Sequence, residues 1–162
     1  MSFDIPSPPS YGGVIDVYYK VKALAELGVK VHLHCFEYGR ERAKDLKELC
    51  TEVHYYSRRQ GKYQLLSNLP FVVTSRRSEA LLTRLLKDDH PILFEGLHTC
   101  YYLGDPRLLG RTRLVRAHNV EHDYYAALAK AEGNAFRRPY FINDARKLQT
   151  FEMGFSEAAD IL

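Results

Sequence analysis

Short apolar runs alternate along the chain with stretches whose apolar residues recur at helical spacing. The runs VKVHLHCF, TEVHYYS, PILFEG and TRLVRAHN begin at residues 29, 51, 91 and 112, and breakers or polar residues bound them. They are typical of strands, and the last two of buried parallel strands. Parallel strands need long crossovers, usually helices. The alternation therefore predicts an α/β fold with a Rossmann-like, doubly wound, mostly parallel sheet.

The helical stretches differ in the apolar stripe that each presents. From Val14 to Gly28 the apolar residues recur at helical spacing, and Gly28 is the expected C-terminal glycine. ERAKDLKELC, from residue 41, predicts a short charged helix. After the last strand, one stripe comprises Val120, Tyr124, Ala127, Leu128 and Ala131, and a second comprises Phe141, Ala145, Leu148, Phe151 and Phe155.

The two ends of the chain read as pieces of strand. MSFDIP predicts a short strand that Pro6 ends, and Asp160, Ile161 and Leu162 predict the start of another. We therefore expect one domain over residues 1–162 whose first strand is clipped.

Composition excludes several classes of protein. The formal net charge is +3 without an arginine-rich tail, so we expect no nucleic-acid partner. Cys35, Cys50 and Cys100 are scattered and lack CxxC spacing, which indicates reduced thiols rather than a disulfide framework or a zinc knuckle. No signal peptide or long uncharged apolar run is evident, so we expect a cytoplasmic protein.

A glycine pair stands between a proline-rich turn and the first predicted helix. Gly12 and Gly13 lack a Cβ, so a phosphate or sugar could approach the amides of a helix N-terminus closely. A plain turn with a helix cap fits the same residues. Neither GxGxxG nor GxxxxGK[ST] is present, which disfavours dinucleotide and P-loop sites.

Three stretches together carry a resemblance to a known family. PSPPSYGG with the following helix and strand, ILFEGLHTCYYL, and RLVRAHNVEHDYYAALAKAE with the helix after it resemble the N-terminal, acceptor-side domain of family 4 glycosyltransferases of the GT-B type. The resemblance covers nearly the whole chain.

The resemblance implies a retaining transfer of a sugar from a nucleotide-sugar donor to a hydroxyl of a glycan or lipid-linked acceptor. The setting would be the synthesis of a bacterial cell-surface polysaccharide or glycolipid. Neither a metal nor another cofactor is required. In the family, a C-terminal domain holds most of the donor, and this chain has no such domain, so we expect the chain alone to be inactive.

The family pattern also implies roles for particular residues. Gly12 and Gly13 would contact the donor's phosphates or transferred sugar, and their amides would stabilise charge on the leaving diphosphate. His118 would face the reacting sugar, and Glu95 would accept a hydrogen bond from a hydroxyl. Tyr11 and Asp16, which flank the glycine pair, would shape the acceptor site. Apart from the family pattern, His98 lies just past Glu95 and could join the acceptor site, and a residue at the start of a helix fits the same position equally well.

Two functions of other classes remain open. One is a non-catalytic Rossmann-like domain that binds a nucleotide or phosphate through the glycine turn. The other is a zinc hydrolase, because HNVEH from His118 to His122 fits H-x-x-E-H. That motif needs both histidines on one helical face, whereas His118 directly follows an apolar strand.

His32 and His34 share a strand face but have no third ligand nearby in sequence, so we interpret them as non-ligating histidines on a partly exposed strand.

Residues 58–77 combine basic and apolar side chains. Arg58, Arg59, Lys62, Arg76 and Arg77 flank an apolar segment, a pattern that anionic membrane surfaces attract. Peripheral contact with the inner face of the membrane is one interpretation. A helical hairpin packed into the core is the other.

Overall fold

A computed structural model describes residues 1–161, without the side chains of residues 62, 156 and 157. In chain order, its elements are α1 (Gly12–Glu26), β1 (His32–Glu37), α2 (Leu46–Leu49), β2 (Glu52–Ser57), α3 (Phe71–Thr74), α4 (Glu79–Leu85), β3 (Ile92–Glu95), β4 (Arg113–Arg116), α5 (Glu121–Ala131), α6 (Arg138–Met153) and α7 (Phe155–Ala158). Three 3-10 helices span Lys62–Leu66, Leu97–Tyr102 and Pro106–Leu108. The fold is mixed α/β, as predicted.

The chain divides into two compact units, each described by itself. Unit 1 comprises residues 1–58 and 78–89, and unit 2 comprises residues 59–77 and the chain from residue 90 onwards. The predicted single domain over residues 1–162 stays a prediction.

Unit 1 is built on the parallel pair β1–β2. The register runs from His32 opposite Glu52 to Glu37 opposite Ser57. Ser2 makes a parallel bridge to Cys35 on the other side of β1, so the predicted first strand is present as a single bridge. The core of this unit comprises Ile5, Val17, Val21, Leu33, Cys35, Leu46 and Cys50. Leu33 and Cys35 thus share a buried face, as their alternation predicts.

Two boundaries in unit 1 differ from the sequence interpretation. The first strand of the pair begins at His32, and Val29 before it is 48% exposed. The charged helix is one turn, Leu46–Leu49, because only Leu46 of this short helix is fully buried. The long helix α1 does match its prediction: it buries Val14, Val17 and Val21 and is followed by Gly28 at a φ of +79°.

Unit 2 is built on the parallel pair β3–β4. The register runs from Ile92 opposite Arg113 to Glu95 opposite Arg116. Ile161 makes a parallel bridge to Leu114, which fits the predicted further strand as far as the described chain goes. Leu162 lies outside the described residues.

Helices α5 and α6 of unit 2 pack side by side, and one predicted stripe on them is wrong. The residues that α5 buries are Glu121 and Ala129, whereas Val120 and Tyr124 are each more than half exposed. On α6, Leu148 is fully buried as predicted, together with Asp144.

The described residues place their strands in two parallel pairs rather than in one continuous sheet. The doubly wound arrangement therefore stays a prediction.

Cys35, Cys50 and Cys100 are buried and form no disulfide, as expected. Within residues 1–161, no helix has both the length and the apolar character that crossing a bilayer requires.

Candidate functional site

The glycine pair forms the first turn of α1. Gly12 and Gly13 are its first two residues, and Tyr11 before them has extended backbone and gives no side-chain cap. The first amides of a helix have no partner within it. The turn therefore offers uncapped donors at the positive end of a 15-residue helix.

The two glycines have different surroundings. A Cβ at Gly12 would meet nothing within 4 Å, whereas a Cβ at Gly13 would lie 2.6 Å from the Phe3 ring. Gly13 is therefore explained by packing within unit 1. Gly12 is the position where a ligand could approach the backbone.

Tyr11 and Arg40 shape the same turn. The Tyr11 hydroxyl donates a 2.7 Å hydrogen bond to Asp4 Oδ2, and Asp4 is buried. The Arg40 guanidinium lies 5.5 Å from the Tyr11 ring centroid and donates to Ser10 Oγ at 2.8 Å and to the Pro8 carbonyl. Sequence reasoning missed Arg40, because nothing local indicates that a residue so far along the chain returns to this turn.

Asp16, the other residue expected near the turn, lies on α1. Its Oδ2 is 3.6 Å from Lys20 Nζ, one helical turn further along. This contact is an ordinary i,i+4 ion pair on the helix.

In unit 2, Glu95 and His118 come together where two parallel strands end. Glu95 is the last residue of β3 and is 3% exposed, and His118 follows β4 by two residues. His118 Nε2 lies 3.4 Å from Glu95 Oε2, and Arg116 Nη1 lies 3.9 Å from the same oxygen. A buried carboxylate thus faces both an imidazole and a guanidinium, at the strand ends where α/β proteins place ligands.

Gly96 allows this close approach. Its φ is +73°, which favours glycine, and a Cβ there would lie 3.0 Å from His118 Cδ2 and 3.3 Å from His98 Nδ1. His98 therefore lies in the same cluster as Glu95 and His118. Arg116 was missed, although it is the residue opposite Glu95 in the strand register.

Glu121 is a further carboxyl near this cluster. It begins α5 and is 6% exposed. Burial and the nearby Glu152 charge raise the pKa of Glu121. A hydrogen bond from Asn119 and the His118 charge lower it, and the net shift is upward. The cluster around His118 therefore holds two buried carboxyls, one of which retains its proton more readily than usual.

The geometry disfavours the H-x-x-E-H site. His118 lies in the loop before α5, and only Glu121 and His122 are on the helix. His122 Nδ1 is paired with Glu152, whose hydrogen bond raises the pKa of His122. Among the residues that the structure describes, no group of three possible metal ligands contains both His118 and His122.

His34 corrects the sequence interpretation of the β1 histidines. It is 7% exposed rather than partly solvated, its Nδ1 lies 2.8 Å from the Tyr56 hydroxyl, and its ring stacks on Tyr56. Burial lowers the pKa of His34 to about 3. His34 is therefore a neutral core histidine in unit 1.

The second part of the segment 58–77, residues 70–76, is largely buried. Val72 and Val73 are buried, and Arg76, also buried, donates from Nη1 to the Val72 carbonyl at 2.7 Å. The exposed apolar side chains of the segment are Tyr63, Leu65 and Leu66. The Lys62 side chain lies outside the described residues. These three exposed apolar side chains lie in the short 3-10 helix Lys62–Leu66.

Comparison with known proteins gives one distant relative. No protein-family model and no solved structure matches the chain. A curated protein of Klebsiella pneumoniae, described as an uncharacterized 44.6 kDa protein in cps region, is 29% identical over 148 residues. The match covers 87% of this chain and 38% of that protein. The chain therefore spans less than half the length of the curated relative that it matches.

Proposed function

We propose that this chain is the acceptor-side part of a retaining GT-B glycosyltransferase of the family 4 type, with a Rossmann-like, doubly wound sheet. The observation that carries the proposal is the Glu95–His118 pair where β3 and β4 end, 3.4 Å apart. The sequence resemblance assigns these two positions to the reacting sugar. Their contact supports that assignment because groups that act on one reacting sugar must lie side by side.

The pair suits the chemistry of sugar transfer. The Glu95 carboxylate orients the imidazole, as carboxylates commonly do for functional histidines. His118 is then held to hydrogen-bond a hydroxyl of the transferred sugar and to steady charge as the glycosidic bond breaks. Gly96 keeps the space beside the His118 and His98 imidazoles clear of a side chain.

The turn at α1 suits the donor's diphosphate. The open Gly12 position, the uncapped amides of the first turn and the Arg40 guanidinium beside Ser10 all favour an anion. In this proposal Gly12 contacts phosphate, and Gly13 packs on Phe3.

The relative supports the biological setting of the proposal. Its description places it in a cps (capsule) region, and capsules are made by sugar transfer. We propose a cytoplasmic enzyme, peripheral at the inner face of the membrane, that acts on a glycan or lipid-linked acceptor with a nucleotide sugar as donor. It needs no resident metal, and a second domain supplies most donor contacts.

The test is an assay of the full-length gene product with a panel of nucleotide sugars and acceptor extracts. We expect release of nucleoside diphosphate that depends on the acceptor, and a product with the donor's anomeric configuration by NMR. Inversion of that configuration, or no turnover with any donor, would contradict the proposal.

A second candidate is a non-catalytic binding domain, which the Arg40 contact with the glycine turn also favours. Titration of the chain with nucleoside diphosphates separates the two candidates. Binding that Gly12→Val abolishes, in a full-length protein without turnover, would establish the binding domain instead.

A further inference from the structure

Helices α5 and α6 enclose a groove that the proposed function does not use. Its volume is about 460 Å³, within the range of small-molecule sites. The floor consists of small and apolar side chains: Ala126, Ala129, Ile142 and Ala145. A floor of this kind accepts a hydrocarbon chain rather than a sugar.

Three cations line the same groove. Lys130, Arg138 and Arg146 are exposed and have no ion pair or side-chain hydrogen bond with any part of the chain that the structure describes. No carboxylate is among the described lining residues. His122 lies at one end, but Glu152 already pairs with it.

Other arginines of unit 2 contrast with these three. Arg107 lies 2.8 Å from Asp105, Arg113 lies 3.4 Å from Asp160, and Arg137 lies 3.8 Å from Glu132. Each of these three arginines has a carboxylate partner, whereas the three cations of the groove have none within the described part of the chain. Like charges around one concavity repel each other, and a bound anion removes that repulsion.

We propose that the α5–α6 groove binds a phosphate group attached to an apolar chain. Phosphate carries up to two charges, and arginine matches its oxygens with a fork of N–H donors. The cations at Lys130, Arg138 and Arg146 hold the phosphate, and the alanine floor takes the chain. This site is independent of the proposed sugar transfer.

The same chemistry occurs in a lipid headgroup and in a free alkyl phosphate. Phe136 bears on the source: it is 95% exposed and precedes Arg138 by two residues in the loop between the helices. An exposed aromatic ring beside arginines is typical of protein surfaces that enter a bilayer interface.

The first measurement titrates octyl phosphate into the chain by calorimetry. The groove variant carries Lys130→Gln, Arg138→Gln and Arg146→Gln. A control variant of equal charge carries Arg59→Gln, Arg107→Gln and Arg137→Gln, none of which lines the groove. We expect the groove variant to bind about tenfold or more weakly than wild type and the control to bind within about twofold of it. Inorganic phosphate should bind more weakly than octyl phosphate.

Equal binding by the two variants, or no binding of octyl phosphate at millimolar concentration, would overturn the proposal. Circular dichroism checks that both variants keep the wild-type fold.

The second measurement identifies the source by sedimentation with phosphatidylcholine vesicles that contain phosphatidylglycerol. Sedimentation that the groove variant loses and Phe136→Ser weakens indicates a lipid headgroup. Octyl phosphate binding without sedimentation indicates a soluble phosphorylated compound. Sedimentation that the groove and control variants lose equally would contradict a groove site for lipid.

Discussion

Gly12 and Gly13 are adjacent in the first turn of α1, but their surroundings differ. Gly13 leaves room for the Phe3 ring, whereas the space around Gly12 is open. The sequence singles out the pair, but only the packing of Phe3 separates their roles. A substitution at Gly12 would therefore affect ligand binding in this turn, and a substitution at Gly13 would affect the stability of unit 1.

Gly13→Ala should destabilise unit 1 by about 1–3 kcal/mol, because its Cβ overlaps the Phe3 ring. Gly12→Ala should change the free energy of unfolding by less than about 1 kcal/mol, because its Cβ enters open space. Urea unfolding of both variants measures the difference. Equal stabilities would mean that Phe3 moves aside freely.

His34 predicts a pH dependence with a definite sign. Its folded-state pKa of about 3 lies below the usual value of 6.5, so the unfolded chain binds the proton more readily. Its contribution to stability is thus fully present above pH 6.5 and is lost as the pH falls from 6.5 toward 3. The slope approaches about 1.4 kcal/mol per pH unit within that window.

Urea unfolding at several pH values, for wild type and His34→Gln, isolates this contribution. The difference between the two free energies of unfolding should shrink as the pH falls. A difference that stays constant from neutral to acid pH would show that His34 becomes protonated without cost in the fold.

At the scale of elements, a buried carboxylate joins two helices of unit 2. Asp144 on α6 is 1% exposed, and both its oxygens lie 3.2 Å from the backbone nitrogen of Phe71, the first residue of α3. It acts as a cap supplied from another helix, which satisfies an N–H that Pro70 cannot cap with a side chain. Burial raises the pKa of Asp144.

Asp144→Ala should cost about 2 kcal/mol or more, because the Phe71 N–H is left without an acceptor. Asp144→Asn should cost less, because its amide oxygen can accept the same bond and a neutral group suits the buried position. Thermal unfolding compares the two. Equal losses would show that the charge, rather than the hydrogen bond, matters at this position.

Elements with a clear period were predictable, and elements fixed by contacts distant in sequence were not. The alternation of apolar residues indicated β1, and their 3.6-residue spacing indicated α1. Both patterns place apolar side chains along one buried face of the element. The stripe on α5 was misread: its apolar side chains are largely exposed, and the helix buries Glu121 instead. A buried carboxyl such as Glu121 cannot be predicted from hydrophobicity alone, because its side chain is polar.

The candidate site divides in the same way. The family resemblance assigned Glu95 and His118 to the site, and His98 was added because it lies just past Glu95 in the sequence. The structure brings the three together around Gly96. Arg40 was not predictable, since its place beside the glycine turn depends on the path of the chain after β1. Arg116 required the strand register, which the sequence alone does not give.

At the scale of the whole molecule, the proposed function depends on one chemical centre, His118 beside the buried Glu95 carboxylate where β3 and β4 end. The relative in the cps region is more than twice as long as the matched segment, so the centre is best tested in the full-length gene product. His90 provides a matched control, because it is exposed and lies outside the cluster.

The most direct measurement is kcat for sugar transfer by the full-length protein with the wild-type, His118→Ala and His90→Ala sequences. The account predicts that His118→Ala lowers kcat about 100-fold or more, with little change in thermal stability, and that His90→Ala leaves kcat within about twofold. An unchanged kcat for His118→Ala, or a variant that simply unfolds, would contradict the central role of this histidine.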